Sequence, residues 1–210
     1  MEDTIRSVER TVVGEVLPIF RSENQAKLLA AIFLAPESEV LSLERLAVLT
    51  EVPYPSVHRE IARLQAAGLV VDTRIGNLRR IQPNPLSPFC GPLAALIDAV
   101  FGPVPLLRDA LGTLAGVEAA ALYGSWAARS LGEPGDAPGD VDVLVIGAPD
   151  PAAVYRACRQ VEDRVRRPVN PTIARPDEWR TNPSGFFDQI ARTPRVELFG
   201  DWAALLRDTP

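Results

Sequence analysis

The sequence predicts a mixed α/β fold (α+β) arranged as two domains, and three observations lead to that prediction. Helix-length apolar patterns followed by two short strand patterns occupy residues 21–84. Helical and strand-like patterns alternate over residues 104–210. A proline-rich linker and one helix, residues 85–103, lie between them. With 210 residues, 47% of them hydrophobic, the chain is long and apolar enough for two small domains that each bury a core.

The overall charge, the cysteines and the start of the chain narrow the functional classes. A formal net charge of −5 excludes a globally basic nucleic-acid coat. The two cysteines, Cys90 and Cys158, match no metal-binding spacing. Two thiols could form a disulfide, but we expect both to be reduced and buried. The charged start MEDTIRSVER lacks a signal-peptide pattern, and no apolar stretch is expected to reach the roughly 20 residues that span a bilayer. These features predict a cytoplasmic protein that makes no membrane contact.

Residues 1–20 form a segment of their own before the first domain. Its apolar residues recur at a helical spacing, at Ile5, Val8, Val12, Val16 and Ile19. Two interpretations stay open, since such a helix serves either as an arm or dimer contact or as a helix packed on its own domain.

Residues 21–84 carry the signals of three helices and a hairpin. Ser22 and Ser42 are candidate N-caps, and Gly68 is a candidate C-cap. Ile75-Gly76-Asn77 is a candidate hairpin tip. The predicted helices and then strands cover residues 24–35, 43–50, 56–67, 69–73 and 78–82. Three helices and a hairpin within this length predict a winged helix-turn-helix domain.

The third predicted helix and the hairpin are locally basic although the chain is acidic. Five arginines against Glu60 and Asp72 give residues 54–83 a net charge of +3. The helix would enter the major groove of double-stranded DNA, and the hairpin would contact phosphates or the minor groove. Because such regulators commonly bind two half-sites, we also expect a homodimer. The candidate DNA contacts are Ser56, His58, Arg59, Arg63, Arg74, Arg79 and Arg80. A solvated basic face and a protein-interaction module are the alternatives.

The second domain carries a candidate site for a metal ion and a nucleotide. A predicted strand at 117–123 ends in Gly124-Ser125, which opens a helix. Asp140 and Asp142 lie on the same face of the next predicted strand, 141–146, because side chains alternate along a strand. Carboxylates of this kind bind Mg²⁺ together with substrate phosphates, and backbone N–H groups at a Gly-Ser turn bind phosphate oxygens. The pattern predicts Mg²⁺ bound with a nucleoside triphosphate, for which we take ATP.

The remaining elements of this domain alternate as an α/β or α+β sheet requires. Pro171 predicts that the third strand lies at an edge or contains a bulge. The linker helix and the later helices and third strand are predicted at residues 93–101, 106–114, 151–166, 169–174, 177–180 and 185–192.

The motifs YGSWAARSLGEPG and GDVDVLVIG resemble the minimal nucleotidyltransferases of the polymerase-beta-like superfamily, which have Gly-Ser followed by Asp-x-Asp on the next strand. RSENQAKLL and PYPSVHREIARLQAAGLV extend the resemblance. From Phe20 to about Gly200 the chain is similar to a bacterial family in which a winged-helix domain, often labelled ArsR-like, is fused to such a nucleotidyltransferase domain.

The resemblance implies roles for individual residues. Asp140 and Asp142 would bind the metal ions, and Gly124 and Ser125 would hold the triphosphate. The family usually has a third carboxylate on a later, adjacent strand, where it activates the acceptor hydroxyl. The matching catalytic position here is Asn170. A general base is commonly worth about 10²–10⁴-fold in rate, so an amide there predicts nucleotide binding with little transfer.

Four further residues near the motif are candidates for the site. Asp177 and Glu178 are candidates to supply the missing carboxylate from the loop after the strand, although the spacing does not require it. Trp126 either stacks on a nucleotide base or packs in the core. Arg129 either binds a phosphate of the nucleotide or pairs with an acid such as Glu133.

The sequence therefore predicts a DNA-binding transcriptional regulator whose second domain binds a Mg²⁺-nucleotide. The alternative is an active nucleotidyltransferase that transfers a nucleoside monophosphate to a hydroxyl of a protein, an RNA or a small molecule. In that alternative the winged helix is a targeting or interaction module.

Overall fold

The chain is mixed α/β, as the sequence predicts, and its described residues form helices and two small sheets. The computed structural model describes residues 20–36, 38–75, 78–136, 138–181 and 185–206. The chain divides into two compact units, Met1–Gly102 and Pro103–Pro210. The predicted N-terminal helix up to residue 19 and the predicted hairpin tip at 76–77 lie outside the described residues.

The first unit contains helices followed by a two-stranded antiparallel sheet and a last helix. Its elements are α1 (Glu23–Phe33), α2 (Leu43–Thr50), α3 (Tyr54–Ala66), β1 (Val70–Ile75), β2 (Leu78–Pro83) and α4 (Cys90–Phe101). The predicted caps of the first two helices are present, because Ser22 Oγ accepts a hydrogen bond from the Gln25 amide and Ser42 Oγ accepts one from the Arg45 amide.

Helix α3 begins at Tyr54, earlier than the predicted Ser56. Pro55 therefore lies inside the first turn, where a proline is tolerated because its missing N–H would have no helical partner. The helix ends as predicted: Gly68 follows the C-cap residue Ala67 with a φ of +69°, a conformation that favours glycine.

The core of the first unit is built from one face of each helix. Val57, Ile61 and Leu64 of α3 are buried in it, as their spacing predicts. Helix α4 belongs to this unit and contributes Ile97, with Leu93 and Phe101 packed against the same core. The proline-rich stretch thus leads into a helix of the first core, and the boundary between the two units falls at Gly102.

The second unit contains a four-stranded sheet in the order β5-β4-β3-β6. Strand β3 is antiparallel to β4 and β6, whereas β4 and β5 are parallel. Strand β5 is an edge strand, which agrees with the position predicted from Pro171. The elements are α5 (Pro103–Gly112), β3 (Val117–Tyr123), α6 (Gly124–Ser130), β4 (Val141–Gly147), α7 (Pro151–Val165), β5 (Val169–Ala174), α8 (Pro176–Thr181), α9 (Phe186–Arg192), β6 (Val196–Phe199) and α10 (Trp202–Leu206).

Both faces of this sheet carry buried side chains. Helix α7 buries the predicted stripe that includes Val154 and Val161. A second cluster combines alternate residues of β3 and β4, such as Ala121 and Leu144, with aromatic residues such as Trp179 of α8. Strand β6 and helix α10 were not predicted.

The two cysteines are free thiols. Cys158 is buried in α7, as predicted, whereas Cys90 at the start of α4 is only partly buried. Burial raises the pKa of the Cys158 thiol to about 12, and Glu162 adds to that shift.

Helices α4 and α5 follow each other across Gly102 and form one apolar stretch. Cys90–Gly112 is 23 residues long with a mean hydropathy of 1.6, which by length and composition is enough to cross a membrane. The prediction that no apolar stretch reaches the roughly 20 residues that span a bilayer was therefore wrong, because it treated residues 90–112 as two separate helices. Core helices of a folded unit satisfy the same criterion, and α5 contributes Leu107 and Leu111 to the core of the second unit.

Candidate functional site

The candidate site lies where one face of the second sheet changes from apolar to polar. Across β3, β4 and β5 the register aligns Ala121, Leu144 and Thr172 in one layer. The next layer toward the start of β4 contains Tyr123, Asp142 and Asn170. Because alternate residues of a strand share a face, Asp140 continues the same face beyond Asp142. The paired carboxylates thus lie at the polar end of an otherwise buried sheet face.

The Asn170 amide lies between the two carboxylates. Its Nδ2 donates a hydrogen bond to Asp140 Oδ2 at 3.0 Å and another to Asp142 Oδ1 at 3.3 Å. The parallel register between β4 and β5 places Asn170 directly beside Asp142. The three side chains that the sequence analysis grouped together therefore meet in the structure. The role of Asn170 at the position of a third carboxylate stays a prediction.

Burial raises the pKa of the Asp142 carboxyl above its ordinary value. The Asn170 hydrogen bond lowers that pKa, and the neighbouring Asp140 charge raises it. The pKa of Tyr123 is also raised, chiefly by burial, with smaller contributions from both carboxylates. The Tyr123 hydroxyl lies 2.9 Å from Thr172 Oγ1. Tyr123 therefore belongs to the site, and its alternation with Ala121 along β3 is the sequence signal that places it there.

Gly124 is needed at its position for a reason that the sequence pattern did not indicate. Its φ of +72° favours glycine, and a Cβ there would lie 2.6 Å from Asp142 Oδ2. Ser125 follows as an exposed residue in the first turn of α6. Tyr123 is the N-cap residue of α6 and makes no side-chain cap hydrogen bond. The Gly-Ser turn is thus packed directly against the Asp142 carboxylate.

The structure bears on the interpretations offered for Trp126 and, separately, on those offered for Arg129. Trp126 is only 6% exposed, which favours packing in the core over stacking on a base. Arg129 is partly buried, and its Nε and Nη1 have no hydrogen-bond partner within the described residues. Its guanidinium lies so close to Gly135 that a Cβ there would clash. The described ion pairs include none between Arg129 and Glu133.

The residues proposed as substitutes for the third carboxylate are engaged elsewhere. Glu178 Oε2 accepts a hydrogen bond from the Arg175 amide at 2.9 Å, and Asp177 pairs with the Arg175 side chain at 3.6 Å. Within the described ranges, no group of three or more His, Cys, Asp and Glu side chains is placed to hold a metal ion. Mg²⁺ usually takes one or two carboxylates and completes its shell with water and substrate phosphates, so Asp140 and Asp142 fit it as a partial ligand set.

The predicted DNA contacts on α3 lie mainly on its exposed side. His58, Arg59 and Arg63 are exposed, whereas Ser56 is partly buried. Ser56 Oγ accepts a hydrogen bond from Arg59 Nη2 at 3.2 Å.

Arg63 is linked to an acidic residue that the sequence pattern did not single out. Its Nη1 lies 3.4 Å from Oε2 of Glu60, which is only 5% exposed. Arg21 also pairs with that oxygen, and Gln25 Nε2 donates to the other at 2.8 Å. A buried carboxylate thus anchors the helix that carries the predicted contacts.

The hairpin does not present its three arginines together. Arg74 on β1 lies opposite Arg79 on β2, so these two share a face. Arg79 Nε also lies 2.5 Å from Asp72 Oδ2, an ion pair that offsets part of the local positive charge. Arg80 lies opposite Thr73 and therefore on the other face. The basic patch predicted from sequence is divided by the pleat of the hairpin.

Comparisons of this chain with protein-family models, with curated proteins and with solved structures found no match. The resemblance described from the sequence therefore depends on its motifs alone.

Proposed function

We propose that the protein is a DNA-binding transcriptional regulator whose second unit is a minimal nucleotidyltransferase-type domain that binds a Mg²⁺-nucleotide. The observation that carries the proposal is the Asn170 amide between Asp140 and Asp142. It supports a site that has the metal-binding pair and has an amide at the position where a transferase has its base.

The two carboxylates are suited to hold Mg²⁺, which would neutralise charge on the phosphates of a bound triphosphate. The turn at Gly124 lies against Asp142, and the exposed residue Ser125 follows it. Transfer would additionally require removal of a proton from the acceptor hydroxyl as its oxygen attacks the α-phosphorus and pyrophosphate leaves. Asn170 has no basic group for that proton, which favours binding over transfer.

The first unit supports DNA binding through its element order and its local charge. Three helices and a hairpin match the order of a winged helix-turn-helix, in which the third helix enters the major groove. Arg59 and Arg63 are one helical turn apart on the exposed side of α3, where they would reach phosphates or base edges. Arg74 on the hairpin would provide a phosphate contact outside the groove.

Titration calorimetry tests the nucleotide site. Mg²⁺ with each nucleoside triphosphate should release or absorb heat with the wild type, and the Asp142→Ala variant should lose that signal. Asp163→Ala removes an exposed carboxylate of α7 and should bind like the wild type. Equal binding by the wild type and Asp142→Ala, or no binding by either, would contradict the proposed nucleotide site.

Gel-shift titration against genomic fragments tests the DNA-binding half. Binding should weaken as salt is raised, and Arg59→Ala should lower the salt slope by about 1 if Arg59 contacts one phosphate. Arg159→Ala, an exposed arginine of the second unit, is the matched control and should leave binding unchanged. DNA binding that is absent, or insensitive to both salt and Arg59→Ala, contradicts this half of the proposal.

An active nucleotidyltransferase is the second candidate function, and the paired carboxylates on one strand face favour it. Incubation with labelled triphosphate, Mg²⁺ and cell lysate should then release pyrophosphate. The release must disappear in the Asp140→Ala/Asp142→Ala double variant for this alternative to hold.

A further inference from the structure

Helix α9 packs on the same sheet face as the paired carboxylates. Ile190 of α9 is buried in one cluster with Ala121 of β3 and Leu144 of β4. Leu144 shares a strand face with Asp142, because side chains alternate along β4. Helix α9 therefore covers the apolar part of this face and borders its polar end, and the first residue of the helix is Phe186.

The Phe186 ring lies at the end of α9 that is nearest to the carboxylates. Its centroid is 6.3 Å from that of the Tyr123 ring, and the two rings meet edge to face. Tyr123 is the residue of β3 that pairs with Asp142 of β4. The Tyr123 hydroxyl lies 2.9 Å from Thr172 Oγ1 on β5, so the tyrosine ring extends across β4. Phe186 is thus separated by one aromatic ring from the strand that carries Asp142.

Phe186 is the outermost ring of an aromatic cluster. It is 42% exposed, whereas Tyr123 and Phe187 are partly buried and Trp179 is only 4% exposed. The Phe187 ring lies 5.5 Å from the Phe186 ring and 5.8 Å from the Trp179 ring. These contacts hold Phe186 in place from the core outward, so a flat group that stacked on it would not have to order it first.

We propose that the Phe186 ring is the stacking surface for the base of the nucleotide whose phosphates and Mg²⁺ are held at Asp140 and Asp142. This inference rests on the proposed nucleotide site. An aromatic side chain stacks on any nucleobase, because every base has a π-face. An exposed apolar ring beside paired carboxylates thus matches the two ends of a nucleoside triphosphate, the uncharged base and the Mg²⁺-bound phosphates.

The turn predicted to hold the phosphates and the Phe186 ring adjoin the same tyrosine. Gly124, which lies against Asp142, directly follows Tyr123, whose ring contacts Phe186. One nucleotide can therefore contact the turn with its phosphates and Phe186 with its base. Trp126, the stacking residue suggested by the sequence, is 6% exposed and offers too little ring surface for a base.

Titration calorimetry with two probes separates the base from the phosphates. The probes are Mg²⁺-ATP and Mg²⁺-tripolyphosphate, which has neither base nor sugar. Phe186→Ala should weaken binding of Mg²⁺-ATP about tenfold and leave binding of Mg²⁺-tripolyphosphate unchanged, as loss of one base-stacking contact implies. Phe186→Trp keeps a stacking ring and should bind Mg²⁺-ATP at least as tightly as the wild type. Tyr155→Ala removes an exposed aromatic residue of α7 and should change neither affinity.

Fluorescence of Phe186→Trp gives a readout that a purely structural role would not produce. The substitution adds an indole at an exposed position, whereas the native Trp126, Trp179 and Trp202 are buried. Emission of the added indole should be quenched by Mg²⁺-ATP and not by Mg²⁺-tripolyphosphate, because only ATP has a base to stack on it. An indole that responds to both probes equally, or to neither, would overturn the inference.

Failure of the stacking inference differs from failure of the nucleotide site. If the wild type and Phe186→Ala bind Mg²⁺-ATP equally, the ring does not hold the base although the site binds a nucleotide. If Phe186→Ala loses affinity for both probes to the same extent, the ring has a structural role and the inference is overturned. A wild type that binds neither probe contradicts the nucleotide site itself, and the stacking surface with it.

Discussion

Replacing Asn170 by aspartate should destabilise the second unit in the absence of Mg²⁺, and Mg²⁺ should restore most of the lost stability. The substitution keeps the size and shape of the side chain but exchanges two N–H donors for a negative charge. It thereby removes the hydrogen bonds of 3.0 and 3.3 Å to Asp140 and Asp142. It also brings a third carboxylate to the same layer of the sheet.

The magnitude follows from these two changes. Loss of the hydrogen bonds costs about 1.5 kcal/mol in total, the low end for bonds to charged groups, because Asn170 is exposed. Two like charges about 4 Å apart repel by about 1 kcal/mol in water and about 4 kcal/mol nearer the protein interior. We therefore expect a total cost of about 3 kcal/mol, which lowers the unfolding midpoint by about 12 °C for a unit of this size. Asn170→Ala loses the hydrogen bonds alone and should cost about half as much.

Thermal unfolding by circular dichroism, with and without Mg²⁺, measures the effect. Mg²⁺ at about 100 times its dissociation constant adds about 2.7 kcal/mol to stability, so Asn170→Asp should recover most of its loss, whereas Asn170→Ala should recover less. Gln160→Glu adds the same charge on the exposed side of α7 and controls for net charge. If Asn170→Asp and Asn170→Ala unfold at the same temperature without metal, a third carboxylate adds no repulsion at this site and the reasoning is refuted.

Three other substitutions test separate parts of the structure. Glu60→Ala should cost about 1.5–3 kcal/mol in urea unfolding, because it removes the buried carboxylate that accepts hydrogen bonds from Arg21 and Gln25. Glu60→Gln keeps an acceptor oxygen but loses the charge, so it should also destabilise the unit, and a Glu60→Gln midpoint equal to that of the wild type would refute the role of the charge. Gly124→Ala should cost more than Gly185→Ala although both glycines have a φ of +72°, since only Gly124 faces the Asp142 carboxylate; equal midpoints would contradict that contact. In the folded protein the pKa of the Cys158 thiol is raised from 9.0 to about 12. Between these two pH values the folded protein therefore keeps a proton that the unfolded chain loses. The unfolding free energy should therefore fall as pH rises from about 9 to about 12, and Cys158→Ala should show a shallower fall over the same range.

Local signals in the sequence predicted most of the elements, because capping and alternation act over a few residues. Ser42 predicted the start of α2 through a hydrogen bond three residues away. Strands β3 and β5 have the predicted bounds, since runs of apolar residues between turns are also local. Strand β6 has only four residues and no alternation of its own, and its pairing with β3 is what makes it a strand.

Contacts between distant residues were harder to predict, because they depend on strand register and on burial. The sequence did not indicate how the hairpin arginines are divided, because the register alone places Arg80 on the opposite face from Arg74. The burial of Glu60 depends on Arg21, which lies 39 residues earlier in the chain. Gly124 was predicted to hold the triphosphate, and its close approach to Asp142 becomes evident only when the strands are paired. Asn170 could be placed because the sequence motif specifies a position on an adjacent strand.

A pair of carboxylates on one strand face needs a compensating partner, and that need distinguishes the two functional candidates. Asp140 and Asp142 can be balanced by a cation or by donors from the protein, and Asn170 supplies donors to both. An aspartate at that position would repel the pair without metal, which makes a folded site depend on Mg²⁺. An amide makes the metal optional, so occupancy can follow the supply of Mg²⁺-nucleotide without loss of the fold. A site that fills and empties without unfolding is suited to sensing a ligand, and for this reason we propose a regulator rather than a dedicated transferase.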